Sequence, residues 1–235
     1  MKYIISIYIL FVAGLVFGTI LLVTLIFTFI LPAKVYDPWV KKMLRFFFKA
    51  IFTKVEVEGI ENINPKATYL FMSNHVSMFD IPLLGGFIPN FFRGIEADYQ
   101  HEWPFYGWVM KRYGNITIPR ENIHQSISSV RKAEKIMQKG KSIAILPEGH
   151  RTLDGKLRNF KKLPFFLAKQ AGVDLVPIGL SGLFQLKRKG SWIVTPTPLK
   201  VKFGTPISAT QIEKLSVKEL RDLTREKIQG LIERP

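Results

Sequence analysis

Thr68-Tyr69-Leu70-Phe71-Met72-Ser73-Asn74-His75-Val76-Ser77-Met78-Phe79-Asp80-Ile81-Pro82-Leu83-Leu84-Gly85-Gly86-Phe87 is the stretch that decides the fold. Thr68 to Met72 is a short apolar run of β-forming residues, the pattern of a buried strand. A polar turn carrying His75 follows, and from Asp80 to Phe87 the pattern reads as a helix. A strand that passes through a turn into a helix is half of a βαβ unit. The chain repeats that alternation on both sides. Strands are expected at Val55 to Val57, Thr68 to Met72, Phe91 to Ile95, Asn115 to Ile118, Ser142 to Leu146, Leu175 to Ile178 and Leu199 to Phe203. Helices are expected at Asp80 to Phe87, Pro104 to Tyr113, His124 to Lys139, Phe160 to Ala171 and Thr210 to Ile232. In the third of these Ile127, Val130, Ala133 and Met137 share one face, and Gly140 is placed to end the helix. The fold class expected is therefore α/β, a mostly parallel sheet flanked by helices, with ligands gathered at strand carboxyl ends.

The segment before this alternation is of another kind. Ile4 to Leu31 contains no charged residue, and as a helix it would run about 42 Å against a hydrocarbon core of about 30 Å. A cleavable signal peptide would have an apolar core about half as long. Gly14 and Gly18 form a G-x-x-x-G pair, which by itself is no more than the glycine content common in membrane helices. From Trp39 to Phe52, Lys41, Arg45 and Lys49 recur every four residues with Lys42 beside them. They occupy an arc of about 100° on a helix whose remaining surface is apolar and aromatic. That pattern suits a helix lying at a membrane interface against anionic headgroups, and equally a core helix with one solvated face. Its position next to the apolar segment favours the membrane. The expected organisation is an N-terminal two-helix membrane anchor over residues 1–53 and a catalytic domain over residues 54–235. The excess of Lys and Arg just beyond the apolar stretch places the catalytic domain on the cytoplasmic side, whether the helices span the bilayer or sit in one leaflet.

The formal charge is +16, and only Lys2 contributes before Lys34. Such a field favours anionic partners without choosing among them. No nucleic-acid-binding module is present, and Gly140-Lys141-Ser142 lacks the first glycine of a P-loop, so nucleic acid is not an expected partner. The chain has no cysteine, which removes a thiolate nucleophile, a cysteine metal site and a disulfide framework.

Four polar or irregular clusters sit at expected strand ends. The first runs from Asn74 to Asp80. On one continuous helix His75 and Asp80 would diverge by about 140°, so they meet only if the chain turns between them. Ser77 reads as a helix start, and a capping box is the structural alternative for Asp80. The second, Gly114 to Arg120, delivers an arginine suited to bidentate phosphate binding. The third is Leu146-Pro147-Glu148-Gly149-His150-Arg151, where a glycine lets the backbone pass close to a ligand. The fourth, Val176-Pro177-Ile178, also reads as plain core packing. Gly179-Leu180-Ser181-Gly182 lacks the spacing of a serine-hydrolase elbow.

Together and in this order the clusters resemble the glycerophosphate acyltransferase family, most closely the 1-acylglycerol-3-phosphate (lysophosphatidic acid) acyltransferases. The family's N-H-x4-D, G-x-x-x-I-x-R, E-G-T-R and V-P blocks are matched by Asn74/His75/Asp80, Gly114/Ile118/Arg120, Glu148/Gly149/Arg151 and Val176/Pro177. The run from Glu102 to Gly107 is similar to the stretch before the second block. The resemblance covers Val55 to Ser181. His150 stands where threonine is usual, and Pro119 where an acidic residue is frequent. The resemblance implies transfer of an acyl group from acyl-CoA or acyl carrier protein to 1-acylglycerol-3-phosphate, or in a related enzyme to glycerol-3-phosphate or another lysophospholipid. It implies no cofactor and no metal. His75 would be the general base, oriented by Asp80. Arg120 with Arg151 would hold the acceptor phosphate, Glu148, Gly149 and Gly114 would shape the site, and Val176 and Pro177 would line the acyl or acceptor path.

Overall fold

A computed structural model of the chain describes residues 2–119 and 123–233. Its elements are α1 (Lys2–Ile30), α2 (Ala33–Ala50), β1 (Val55–Glu58), β2 (Tyr69–Ser73), α3 (Asp80–Phe87), β3 (Phe92–Ala97), α4 (Tyr106–Tyr113), β4 (Ile116–Ile118), α5 (Ile123–Gln138), β5 (Ser142–Ile145), α6 (Leu163–Ala171), β6 (Asp174–Ser181), α7 (Leu183–Leu186), β7 (Leu199–Phe203), α8 (Ala209–Lys214) and α9 (Val217–Leu231). Every expected strand is present.

The strands form one seven-stranded sheet in the order β1-β7-β6-β2-β5-β3-β4. Neighbours run parallel except at β6–β7, so β1 and β7 are reversed relative to the other five. The connection after β2 leads past β5 to β3, whereas the connection after β5 leads past β2 to β6. The chain therefore leaves β2 and β5 in opposite directions, which opens a crevice at their carboxyl ends. Successive side chains of β2 point to opposite faces. Phe71 joins a cluster with Phe47, Phe48, Leu83 and Val176. Leu70 and Met72 join the other cluster, with Val130, Phe165, Leu220 and Ile228. Helices thus cover both faces, as a mostly parallel sheet requires.

The C-terminal helix expected from Thr210 to Ile232 is two helices. Ser216 breaks the run as an N-cap: its Oγ accepts from the Glu219 N–H at 3.2 Å, and Glu219 Oε2 accepts from the Ser216 N–H at 2.8 Å. This is a capping box, and its S-x-x-E spacing stands in the sequence.

The basic stripe of α2 divides between two environments, which corrects the expectation that it meets headgroups as a unit. Lys41 is buried; its Nζ lies 2.8 Å from Asp37 Oδ2 and donates to the carbonyls of Asn90 and Pro89 at 2.8 and 3.1 Å. Arg45 Nε donates to the Gly86 carbonyl at 2.7 Å. These are acceptors at the end of α3 and in the turn that leaves it, where helical carbonyls lack intrahelical partners. Lys42 and Lys49 stay exposed. Periodicity places residues on one face, and only packing decides what that face meets.

α1 is long and apolar enough to cross a membrane. Its buried residues, Ser6, Ile9, Ala13, Ile20 and Thr24, form a narrow stripe, and large side chains such as Ile4, Phe11 and Phe29 project outward at 68–74% exposure. Gly14 and Gly18 pack against nothing within 4 Å of a Cβ position. Removing the charge partner inside α2 should matter more than removing an exposed charge. Lys41→Met leaves Asp37 buried without its cation and is expected to lower stability by about 3–5 kcal/mol. Lys42→Met should stay within about 0.5 kcal/mol of the parent. Thermal unfolding of both variants in the same detergent checks the difference.

Candidate active site

β2 ends at Ser73, the chain turns through residues 74–79, and α3 begins at Asp80. That turn brings His75 back over Asp80. The ring Nδ1 lies 2.7 Å from Asp80 Oδ2, with the carboxylate side chain fully buried and the imidazole 16% exposed. Asp80 Oδ2 also accepts from the Val76 N–H at 2.7 Å, and Oδ1 from the Ser77 N–H at 3.0 Å. One carboxylate therefore orients the ring and ties down the loop that carries it. Capping and orientation are the same set of contacts, and the helix starts at Asp80 rather than at Ser77. Ser77 Oγ turns elsewhere and donates to the Lys187 carbonyl at 2.7 Å. With Nδ1 engaged, Nε2 is the ring nitrogen left to take a proton.

The backbone of the dyad is clasped from both neighbouring strands. From the loop after β5, Glu148 Oε1 accepts the His75 N–H at 2.6 Å and Oε2 accepts the Arg158 N–H at 2.9 Å. Burial pushes the Glu148 carboxyl above its usual range, and the two N–H donors work against that. The Thr152 N–H donates to the His75 carbonyl at 2.9 Å. From β6, Asn74 exchanges two hydrogen bonds with Leu180, its Nδ2 to the carbonyl at 3.0 Å and the Leu180 N–H to its Oδ1 at 2.8 Å. His75 is thus held by three strands.

The other sequence candidates fall in different places. Gly149 has φ +74° and its N–H donates to the Leu146 carbonyl at 3.1 Å, so the turn itself demands glycine there. Gly114 has φ +92° and ends α4, with a Cβ at that position reaching Arg93 Nε at 3.0 Å. Its observed contacts are those of a helix-terminating residue. Val176 and Pro177 sit mid-sheet opposite Phe71 and Met72, and neither lines the apolar cavity described next. Their surroundings are those of core packing. Arg151 is partly buried. Arg120 lies outside the described residues.

An apolar cavity of about 120 Å³ lies between the two N-terminal helices and the sheet, lined among others by Phe17, Ile20, Leu44, Ile81, Val109 and Leu146. Ile81 directly follows Asp80, so the cavity wall and the dyad share the first turn of α3. At the sheet side Tyr106 OH donates to Glu96 Oε2 at 2.8 Å, Asn115 Nδ2 also donates to Glu96, and burial pushes the Glu96 carboxyl upward. Sequence reasoning did not find this cavity, because its wall is assembled from six helices and strands, α1, α2, α3, β3, α4 and β5, that give two to four residues each and lie far apart along the chain. Among the described residues no group of three or more His, Asp or Glu side chains could hold a metal ion.

Residues 54–181, more than half of the chain, match the family model described as Acyltransferase. The chain belongs to the acyltransferase family. It is 30% identical over 189 residues to the chloroplastic 1-acyl-sn-glycerol-3-phosphate acyltransferase LPAT1 of Arabidopsis thaliana, covering 77% of this chain and 53% of that protein. It is 29% identical over 152 residues to a lyso-ornithine lipid O-acyltransferase of Pseudomonas aeruginosa, covering 64% of this chain and 58% of that one. The crystal structure of PlsC, the 1-acyl-sn-glycerophosphate (LPA) acyltransferase of Thermotoga maritima, superposes with a TM-score of 0.80 at 26% identity, covering 98% of this chain and 94% of that one. The chain spans about half the length of several curated relatives it matches. Asp80 engages both the His75 ring and the loop amides, so a change there is expected to affect turnover and stability together. Asp80→Glu adds a methylene to a fully buried site, which should cost about 1–3 kcal/mol. The same displacement of the carboxylate should lower kcat about a hundredfold. Paired Tm and kcat measurements check it, and an unchanged Tm with lost turnover would show that the loop N–H contacts contribute little.

Proposed function

We propose that this chain transfers a fatty acyl group from acyl-CoA or acyl carrier protein to the sn-2 hydroxyl of 1-acylglycerol-3-phosphate, giving phosphatidic acid. The observation that carries the reading is the His75 Nδ1–Asp80 contact, which leaves Nε2 open at the mouth of a strand-end crevice. An alcohol needs its proton removed as it attacks a thioester carbonyl. His75 Nε2 takes that proton while the new C–O bond forms, and Asp80 stabilises the imidazolium. The tetrahedral intermediate then collapses, the C–S bond breaks, and the proton returns from Nε2 to the departing thiolate. The enzyme supplies no nucleophile in this scheme, in keeping with a chain without cysteine.

The apolar cavity beside Ile81 suits the acyl chain, since each buried methylene is worth about 0.8 kcal/mol. Arg120 and Arg151 are assigned to the acceptor phosphate, with Glu148 and Gly149 building the loop that carries Arg151 and Gly114 ending the helix before Arg120. Val176 and Pro177 support the sheet beneath. Residues 1–53 form the membrane anchor and residues 54–235 the catalytic domain, which faces the cytoplasm. The exposed apolar surface of α1 is inserted in lipid, and Lys42 and Lys49 meet anionic headgroups.

A panel of acceptors with one labelled donor tests the reading: lysophosphatidic acid, glycerol-3-phosphate, lysophosphatidylcholine and a lyso-ornithine lipid. Lysophosphatidic acid is expected to be fastest, because its phosphate is an unblocked monoester. Equal rates with lysophosphatidylcholine would remove the phosphate assignment, and a preference for the lyso-ornithine lipid would move the acceptor class altogether. Arg120→Lys should raise the acceptor KM while leaving the donor KM unchanged, since Lys cannot reproduce a bidentate fork. For the anchor, the intact protein should stay with membranes in about 1 M salt, where the Debye length is only about 3 Å, and leave them in detergent. Sedimentation under the two conditions decides whether apolar insertion or charge holds it.

A further inference from the structure

Lys187 lies just after α7 in the connection to β7, beyond the residues matched by the family model. Its residue surface is only 8% exposed. Buried cations elsewhere in the chain have obvious company: Lys41 has Asp37, and the Arg93 guanidinium lies over the rings of Phe91 and Tyr113. Lys187 has no ion pair among the described residues, and its Nζ makes only a long 3.4 Å contact with the Arg188 carbonyl. A buried ammonium without a counter-ion is a costly arrangement. What it faces makes the arrangement worse. Burial and then the positive field of the Arg151 guanidinium press the Lys187 ammonium below the usual lysine range, so the charged group that acts on it is a second cation. An anion placed there turns mutual repulsion into two attractions.

The backbone segments that carry both cations are tied to the dyad turn. The Lys187 carbonyl accepts from Ser77 Oγ at 2.7 Å, and the Ser77 N–H in turn bonds Asp80. Arg151 immediately precedes Thr152, whose N–H holds the His75 carbonyl. The connection bearing Lys187 is itself tied down at its far end, with the Thr195 N–H on the Leu186 carbonyl at 3.0 Å and the Val194 N–H on Ser6 Oγ of α1 at 3.0 Å. Exposed Arg188 and Lys189 follow and extend the positive rim.

We propose that Lys187 is a phosphate-binding residue of the active site, pairing with Arg151 across a phosphate monoester presented beside His75. This rests on the acyl-transfer reading above and deepens it. Two reactants can supply such a group: the acceptor through its glycerol phosphate, and a CoA donor through its ribose 3′-phosphate. The positions of Ser77 and Thr152 against the dyad favour the acceptor, whose phosphate is held close to the reacting hydroxyl by the glycerol skeleton.

The test uses the full chain in detergent–lipid micelles, with Lys187→Met and Lys187→Arg. Lys187→Met should unfold at or above the parent temperature in the absence of anions, because a repulsion has been removed. It should lose the stabilisation that millimolar inorganic phosphate gives the parent. Its KM for lysophosphatidic acid should rise about tenfold to a hundredfold, the usual effect of losing one charge-assisted hydrogen bond, while the KM for acyl-CoA stays within about twofold. Lys187→Arg should retain most of the acceptor affinity. A rise in the acyl-CoA KM instead, disappearing when 3′-dephospho-CoA carries the acyl group, assigns the same monoester site to the donor. Should Lys187→Met fail to fold, Lys187→Gln, neutral and of similar length, gives the same readouts. The proposal is overturned if phosphate stabilises parent and variant equally and neither KM moves. Phosphate protection is independent of which lipid is acylated, so a failure of the acceptor panel leaves this outcome readable.

Discussion

The Asp80 carboxylate is the constraint on which the rest of the site depends. Fully buried, it collects the His75 ring and the Val76 and Ser77 amides. A buried carboxylate without such donors would be strongly penalised, so the loop can close only in the conformation that presents all of them. That conformation is also the one that aims the imidazole. Glu148 repeats the device one strand away, spending its two oxygens on the amides of His75 and Arg158. Two buried acids thus build the platform that holds His75.

The division of positive charge follows from this. Cations of the fold find fixed acceptors: Lys41 and Arg45 satisfy carbonyls at the end of α3 and beyond it. That docking seats α2, and through it α1, on the helix that begins with Asp80. The apolar cavity between these helices and the sheet is a product of the same docking, because α1 and α2 supply one wall and α3 and β5 the other. Lys187 and Arg151, by contrast, have no ion pair among the described residues, and the backbone segments that carry them are tied to the turn bearing His75.

Much of the fold was legible in the residues. Seven strands were placed from short apolar runs, because a sheet covered on both faces needs continuous apolar strands. Helical geometry set the condition that His75 and Asp80 meet only if the chain turns between them, and the family resemblance implied that they do. The break at Ser216 stood in an S-x-x-E spacing that a continuous amphipathic reading overrode. The stripe on α2 was read correctly as a stripe and incompletely as to its partner, since one period serves lipid, water and protein carbonyls alike. Gly114, Val176 and Pro177 were noticed for their family pattern, and their observed contacts are those of a helix end and a sheet centre.

What the sequence alone determined is what local chemistry determines: an α/β alternation, an apolar N-terminal helix, and a histidine and an aspartate five residues apart that only a turn could bring together. These depend on neighbours within a few residues. Only the tertiary structure decided that Glu148 holds the His75 backbone and Asn74 pins the turn to β6, that an apolar cavity is walled in part by the residue after Asp80, and that the segments bearing Lys187 and Arg151 are tied to the same turn. Those relations join residues tens to more than a hundred positions apart. They are set by which strand lies beside which, and no periodicity or spacing along the chain encodes that order.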